Sequence, residues 1–141
     1  MEIEEIARKV VDCGYKLHTD LGPGLLESVH EVVLAKMIEH RGLAVERQKI
    51  VPIHYESLRF DEGFRADLLV EGKLLIELKS VEHIMPVHSK QLLTYLRLLN
   101  LPLGLLINFG APTFKEGIKR IVNNHTNFAS SRLRVHQEKK R

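Results

Sequence analysis

Apolar residues near the start of the chain recur at Ile3, Ile6, Ala7, Val10, Val11, Cys13 and Leu17. They form mostly one helical stripe, so the pattern predicts a helix from about Ile3 to His18. Thr19-Asp20-Leu21-Gly22-Pro23-Gly24 interrupts it, because glycine and proline punctuate helices. A second helix is predicted from about Leu25 to His40. Its apolar stripe is Leu26, Val29, Val32, Val33 and Met37, and Gly42 sits where a C-terminal glycine cap would.

The period then shortens. Val45 to Tyr55 alternates roughly, with Val45, Ile50, Ile53 and Tyr55, and Arg59 to Val70 carries Phe60, Phe64, Ala66, Leu68 and Val70. Lys73 to Val81 reads Lys-Leu-Leu-Ile-Glu-Leu-Lys-Ser-Val. Glu71-Gly72 between the last two runs is a hairpin signal. A third helix is expected after Pro86, with Leu92, Leu93, Leu96 and Leu99 inward. Leu103 to Phe109 is short and almost wholly apolar, as in a strand covered on both faces. Beyond Val122 the residues turn to Asn, Ser, Thr, His, Lys and Arg. The reading is one domain over residues 1–122, then a basic, flexible tail over 123–141. The predicted order is ααβββαβ, an α/β fold with a mixed sheet flanked by helices.

Composition narrows the class. At 141 residues, with 44% apolar and 28% charged side chains, the chain has the size and mix of one globular domain. The single cysteine, Cys13, excludes an internal disulfide framework and a Cys-based zinc cluster. The acidic start, Met1 to Glu5, has no signal-peptide character. No apolar run approaches the roughly 18 residues of a membrane span. The expectation is a reducing, cytoplasmic setting without membrane contact. The net charge of +3 is unevenly spread: Lys115 to Arg141 carries +6, and residues 1–114 carry −3. A basic end on a slightly acidic body suits a polyanion such as nucleic acid.

The strand around Glu77 concentrates the chemistry. Glu77 and Lys79 share a face, since side chains alternate along a strand, while Leu74, Ile76 and Leu78 take the other. On a solvated edge that pair would be ordinary; on a buried strand it requires partners. Asp67 lies on the preceding strand. It opposes Glu77 only if the connection is three residues, Glu71-Gly72-Lys73; a two-residue turn would put the acids on opposite faces. Two converging carboxylates repel each other, and are sensible around a hard divalent cation such as magnesium or manganese. Glu27, in the first turn of the second helix, is a third acid, though a helix dipole alone also favours a carboxylate there. On the third helix Gln91 and Tyr95 are spaced i, i+4 on one face, where Tyr95 also suits core packing.

These residues carry a resemblance. Asp67 … Glu77-x-Lys79 resembles the active-site signature of the PD-(D/E)XK nuclease superfamily, whose restriction-endonuclease-like core fits the predicted order. Gln91-Leu-Leu-Thr-Tyr95 is similar to the Gln-x-x-x-Tyr motif of its RecB-like branch. Gly24-Leu-Leu-Glu27-Ser-Val-His30 resembles the motif that names the GxxExxY family, with His30 in place of the tyrosine and Ala66, not proline, before Asp67. His18 before Leu21-Gly-Pro-Gly, Arg65-Ala-Asp67 and Gly104-Leu-Leu-Ile-Asn108-Phe-Gly110 extend the match over about residues 5–122.

The resemblance implies metal-dependent phosphodiester hydrolysis, in DNA rather than RNA. It implies Glu27, Asp67, Glu77 and the main-chain carbonyl of Leu78 as ligands of Mg2+ or Mn2+, with Lys79 acting on the attacking water and the phosphate. Gln91 and Tyr95 would support that lysine or touch the backbone. Lys90 and Arg97 on the third helix, with Lys119 and Arg120 from the basic end, would hold phosphates. His30, three residues after Glu27, is expected to face the same cleft. A homodimer would let so small a nuclease cut both strands. A catalytically silent or partner-dependent nucleic-acid-binding module of the same fold is the alternative, and an intact Lys79 weighs against it.

Overall fold

The computed structural model describes residues 1–124. Two helices, α1 (Ile3–Leu21) and α2 (Glu27–His40), precede strands β1 (Val45–Tyr55), β2 (Leu58–Val70) and β3 (Leu74–Lys79). Helix α3 (Pro86–Leu99) leads to β4 (Leu103–Asn108), and a short turn of helix, α4 (Phe114–Gly117), leads to β5 (Ile118–Val122). The five strands form one sheet in the order β1-β2-β3-β4-β5. All neighbours are antiparallel except β3 and β4, which α3 connects as a parallel pair. The mixed α/β architecture is the expected one, extended by α4 and β5. The sequence of β5, with Lys119 and Arg120 in its middle, is too short and polar to register as a strand by itself. It is added at the sheet edge through backbone pairing to β4.

Two apolar layers sandwich the sheet. On one side Ile6, Ala7, Val10, Cys13 and Leu17 of α1 and Leu34, Ala35 and Ile38 of α2 meet Leu74, Ile76 and Leu78 of β3 and Leu105 and Ile107 of β4. On the other side Leu92 and Leu96 of α3 meet Leu75, Leu106, Phe64 and Ala66. Gly14 of α1 lets the Phe114 ring approach, since a Cβ there would lie 2.7 Å from the ring. All of β4 is buried, as its largely apolar run predicted. Among the described residues no helix is long and apolar enough to cross a membrane.

Helix α2 is turned from the expected stripe. Val29 and Val32 are 39% and 42% exposed, whereas His30, Glu31, Leu34, Ala35 and Ile38 are buried. Apolar residues surround this helix, so periodicity does not select its inner face. Two polar residues go inward because partners await them there. At the far end, the Asn123 N–H donates to Pro102 O at 2.9 Å and its Nδ2 to Leu101 O at 3.1 Å, which ties residue 123 to the start of β4. The tail from 125 onward lies outside the described residues.

The β2–β3 connection decides the site. Val70 pairs with Leu74, Leu69 with Leu75 and Leu68 with Ile76. The loop is therefore Glu71-Gly72-Lys73, closed by the Lys73 N–H donating to Val70 O at 3.0 Å, with Gly72 at φ +64°. This is the register that aligns Asp67 with Glu77.

Candidate active site

Asp67 stands where β2 leaves β3. Before it, Phe64 and Ala66 face the α3 layer; after it, Leu68 and Val70 face the α1–α2 layer. The ribbon thus turns over at Asp67, next to the point where pairing with β3 ends at Leu68 and Ile76. The freed backbone groups bind side chains instead. The Leu78 N–H donates to Asp67 Oδ2 at 2.8 Å, and the Asp67 N–H donates to Glu77 Oε1 at 3.4 Å. Each acid is held by the other's strand. The carbonyl of Leu78 leaves β3 on the same side as its N–H, toward Asp67.

Burial sets the electrostatics. Glu77 is only 8% exposed. Burial, then the charge of Asp67, pushes its carboxyl up to about 8, against a restraining pull from Lys79. Burial likewise raises Asp67, while the Leu78 N–H, the Gln48 side chain and Lys79 pull it back. Glu27 opens α2 at the rim of the site. Its carboxyl is raised by burial and by Asp67, lowered by Lys79, and accepts a hydrogen bond from the Ser80 N–H. Ser80 Oγ also donates to Leu25 O at 3.2 Å, which ties the end of β3 to the approach into α2. Three acids thus share one lysine.

Helix α3 closes the other side. Tyr95 stacks on Phe64 with ring centroids 3.9 Å apart and planes 5° apart. Its hydroxyl is bonded to the Gln91 side chain and is raised by burial and by the charges of Glu77 and Asp67. Glu27, Asp67, Glu77, Lys79, Gln91 and Tyr95, scattered over the sequence, therefore converge. Lys90 and Arg97 are exposed on α3.

Two expected residues lie elsewhere. His30 does not face the cleft of Glu27: it is fully buried, stacked on Phe109 at 4.3 Å, with Nε2 3.3 Å from Gly22 O. Three residues is not a whole helical turn, and α2 presents this position to the core. Arg120 points to the α1 layer, where it pairs with Glu4. Lys119, its neighbour, takes the opposite face of β5. It lines a cavity of about 410 Å³ beyond the ends of β3 and β4, with Glu82, His83 and Glu116. His88 is a capping group, Nδ1 accepting from the Met85 N–H at 3.1 Å. His18 is a packing residue, its Nε2 2.8 Å from Ala111 O.

Some residues the sequence did not single out. Gln48 Nε2 donates to Asp67 Oδ1 at 3.3 Å and to Glu31 Oε1 at 2.6 Å. The only signal for Glu31 was its i, i+4 spacing from Glu27. Asn108 pairs with Lys79 across β3 and β4 and uses its carboxamide to hold Val81 and Gly110.

A family model of the PD-(D/E)XK nuclease superfamily matches residues 4–121. The chain belongs to this superfamily. No curated protein matches it. The match covers nearly every described element, and nuclease activity on nucleic acid with a divalent metal is what the superfamily carries. The donor set fits such a cation chemically. Two mutually repelling carboxylates with raised proton affinity, one of them deeply buried, gain from a hard positive charge. Among the described residues no group of three or more His, Cys, Asp or Glu side chains is placed to hold a metal ion by itself. The fit rests on Asp67 and Glu77 with the Leu78 carbonyl, and Glu27 stands at the rim.

Proposed function

We propose that this protein is a metal-dependent deoxyribonuclease of the GxxExxY type, on the RecB-like branch of the superfamily. Asp67, Glu77 and the Leu78 carbonyl hold Mg2+ or Mn2+, and Glu27 completes the set. A bound divalent ion lowers the pKa of a water and polarises the phosphate oxygens.

The chain's own groups do the rest. The Lys79 ammonium sits on the face of β3 that carries Glu77, where it orients the water and stabilises negative charge on the phosphate. Gln91 and Tyr95 form a bonded pair braced on Phe64, and fix the wall of α3 beside that lysine. Lys90, Arg97 and Lys119 supply cations for the backbone of the substrate, contacts that position it without reading sequence. Arg120 is left out, because it is engaged on the other layer.

The observation that carries this reading is the convergence of Asp67 and Glu77 beside Lys79, with Glu77 pushed up to about 8. A buried acid pair of this kind is costly to a fold and useful to a cation site. The test is incubation of the purified protein with labelled linear, circular and single-stranded DNA, with and without Mg2+ or Mn2+, alongside Lys79→Ala. Metal-dependent cleavage that disappears in the variant supports the reading. Metal binding without cleavage on every substrate replaces it with a partner-dependent binding module.

A further inference from the structure

We infer that Gln48 is a positioning residue for Asp67, and that Glu31 and Arg47 form the frame that holds it. The inference rests on the metal-dependent reading above and names the part of the chain that presents Asp67 to the cation.

The local backbone is the first observation. Gln48 lies in β1 between the pairs Arg47–Leu68 and Lys49–Ala66, level with Asp67 on β2. Its φ is +50°, in the left-handed region that residues with a Cβ rarely adopt. Such a conformation persists where its surroundings over-determine it, and it clusters at functional sites. Neighbours in an unbroken strand point to opposite faces. Here Arg47 and Gln48 both reach Glu31, Arg47 Nη2 to Oε2 at 3.1 Å and Gln48 Nε2 to Oε1 at 2.6 Å. The unusual φ is what lets two successive residues grip one carboxylate.

The second observation is the carboxamide itself. Gln48 Nε2 lies between Glu31 Oε1 and Asp67 Oδ1, at 2.6 and 3.3 Å. An amide nitrogen carries two hydrogens, one for each acid, whereas an amide oxygen in that place would face two carboxylates. Glu31 therefore fixes which end of Gln48 meets Asp67. Glu31 is itself 5% exposed, and the Arg47 guanidinium offsets its charge.

Asp67 is then clamped from both sides. Oδ2 accepts from the Leu78 N–H at 2.8 Å, and Oδ1 from Gln48. With one N–H on each oxygen the plane of the carboxylate is set, and each oxygen keeps a lone pair for a cation. Partners of this kind fix ligand orientation, and their loss typically weakens metal binding about 10- to 100-fold.

A purely structural role predicts otherwise. If Gln48 served only to satisfy buried Glu31, its removal would lower the melting temperature and leave metal affinity alone. The experiment is Mn2+ titration by calorimetry on the full chain, at a temperature where circular dichroism shows each variant folded. The variants are Gln48→Gly, which accepts the positive φ, Glu31→Ala and Glu31→Gln. Gln48→Gly and Glu31→Ala are expected to bind Mn2+ about 10- to 100-fold more weakly. Glu31→Gln keeps one oxygen, which Arg47 and Gln48 must share, and is expected to fall between wild type and Glu31→Ala. Wild-type affinity in folded Gln48→Gly, with binding lost in Asp67→Ala, overturns this inference alone. A wild-type protein that binds neither Mn2+ nor Mg2+ overturns the metal-dependent reading and this inference with it.

Discussion

Glu77 makes the metal-free fold sensitive to alkali, and Glu77→Gln should remove that sensitivity. The folded protein holds the Glu77 proton up to about pH 8, against an ordinary 4.5. The native state therefore binds more protons than the unfolded chain throughout that window, and stability falls as pH rises. The contribution is fully present below 4.5 and is lost by the time the pH has passed about 8. At about 1.36 kcal/mol per tenfold change in proton affinity the full loss is about 5 kcal/mol. Asp67 is raised by burial beside it and takes a share of the same titration, so about 5 kcal/mol is the ceiling for Glu77 itself. The assay is urea denaturation in EDTA from pH 5 to pH 9, with ΔG from linear extrapolation. Wild type and Glu77→Gln should come closest at pH 5, where Glu77 is still neutral in the folded protein. They should diverge steadily up to pH 9, by no more than about 5 kcal/mol, with the variant the more stable. Adding Mn2+ should stabilise wild type most at the alkaline end, because ligands that bind only the folded state raise its stability. Parallel curves for the two proteins across the range would refute the reasoning, since they would mean that Glu77 ionises in the native state as it does in the unfolded chain.

Four other outcomes follow from the packing. Phe64→Ala should cost about 3 kcal/mol or more by thermal unfolding, because it removes the ring on which Tyr95 stacks. Tyr95→Phe keeps the stack and should cost under about 1.5 kcal/mol, so a large loss there would mean that the Gln91 bond, not the ring, holds α3. Asn108→Ala should destabilise by about 1–3 kcal/mol, since it strands part-buried backbone groups of Val81 and Gly110. Gly14→Ala should cost about 1–3 kcal/mol, measured as a lowered Tm, because the added Cβ meets the Phe114 ring at 2.7 Å.

Much of the site was legible as text because strand and turn geometry is local. The period of two placed Glu77 and Lys79 together. The choice between a two- and a three-residue turn was a question of parity, and the three-residue loop at Gly72 is what the structure has. The i, i+4 spacing placed Gln91 with Tyr95, which are bonded. None of those steps needed long-range information. The orientation of α2 did. Its apolar residues run all round, and only the core reveals that His30 stacks on Phe109 and that Glu31 turns inward to Arg47 and Gln48. The edge strand β5 was equally silent, because backbone pairing to β4 makes it a strand, not its side chains. Arg120 and Lys119 are neighbours in sequence and were grouped as one basic patch, yet the strand sends them to opposite layers.

The sequence by itself determined which residues could share a face and which acids could meet, since those follow from repeats of two and 3.6 residues along a single element. The tertiary structure alone decided which face goes inward and who waits there. Gln48 shows the difference. Nothing in Glu46-Arg47-Gln48-Lys49 marks it, and its position between Glu31 and Asp67 exists only because a helix and two strands close around it. Periodicity is a property of the chain, whereas the partner that makes a buried polar group tolerable is a property of the packed fold.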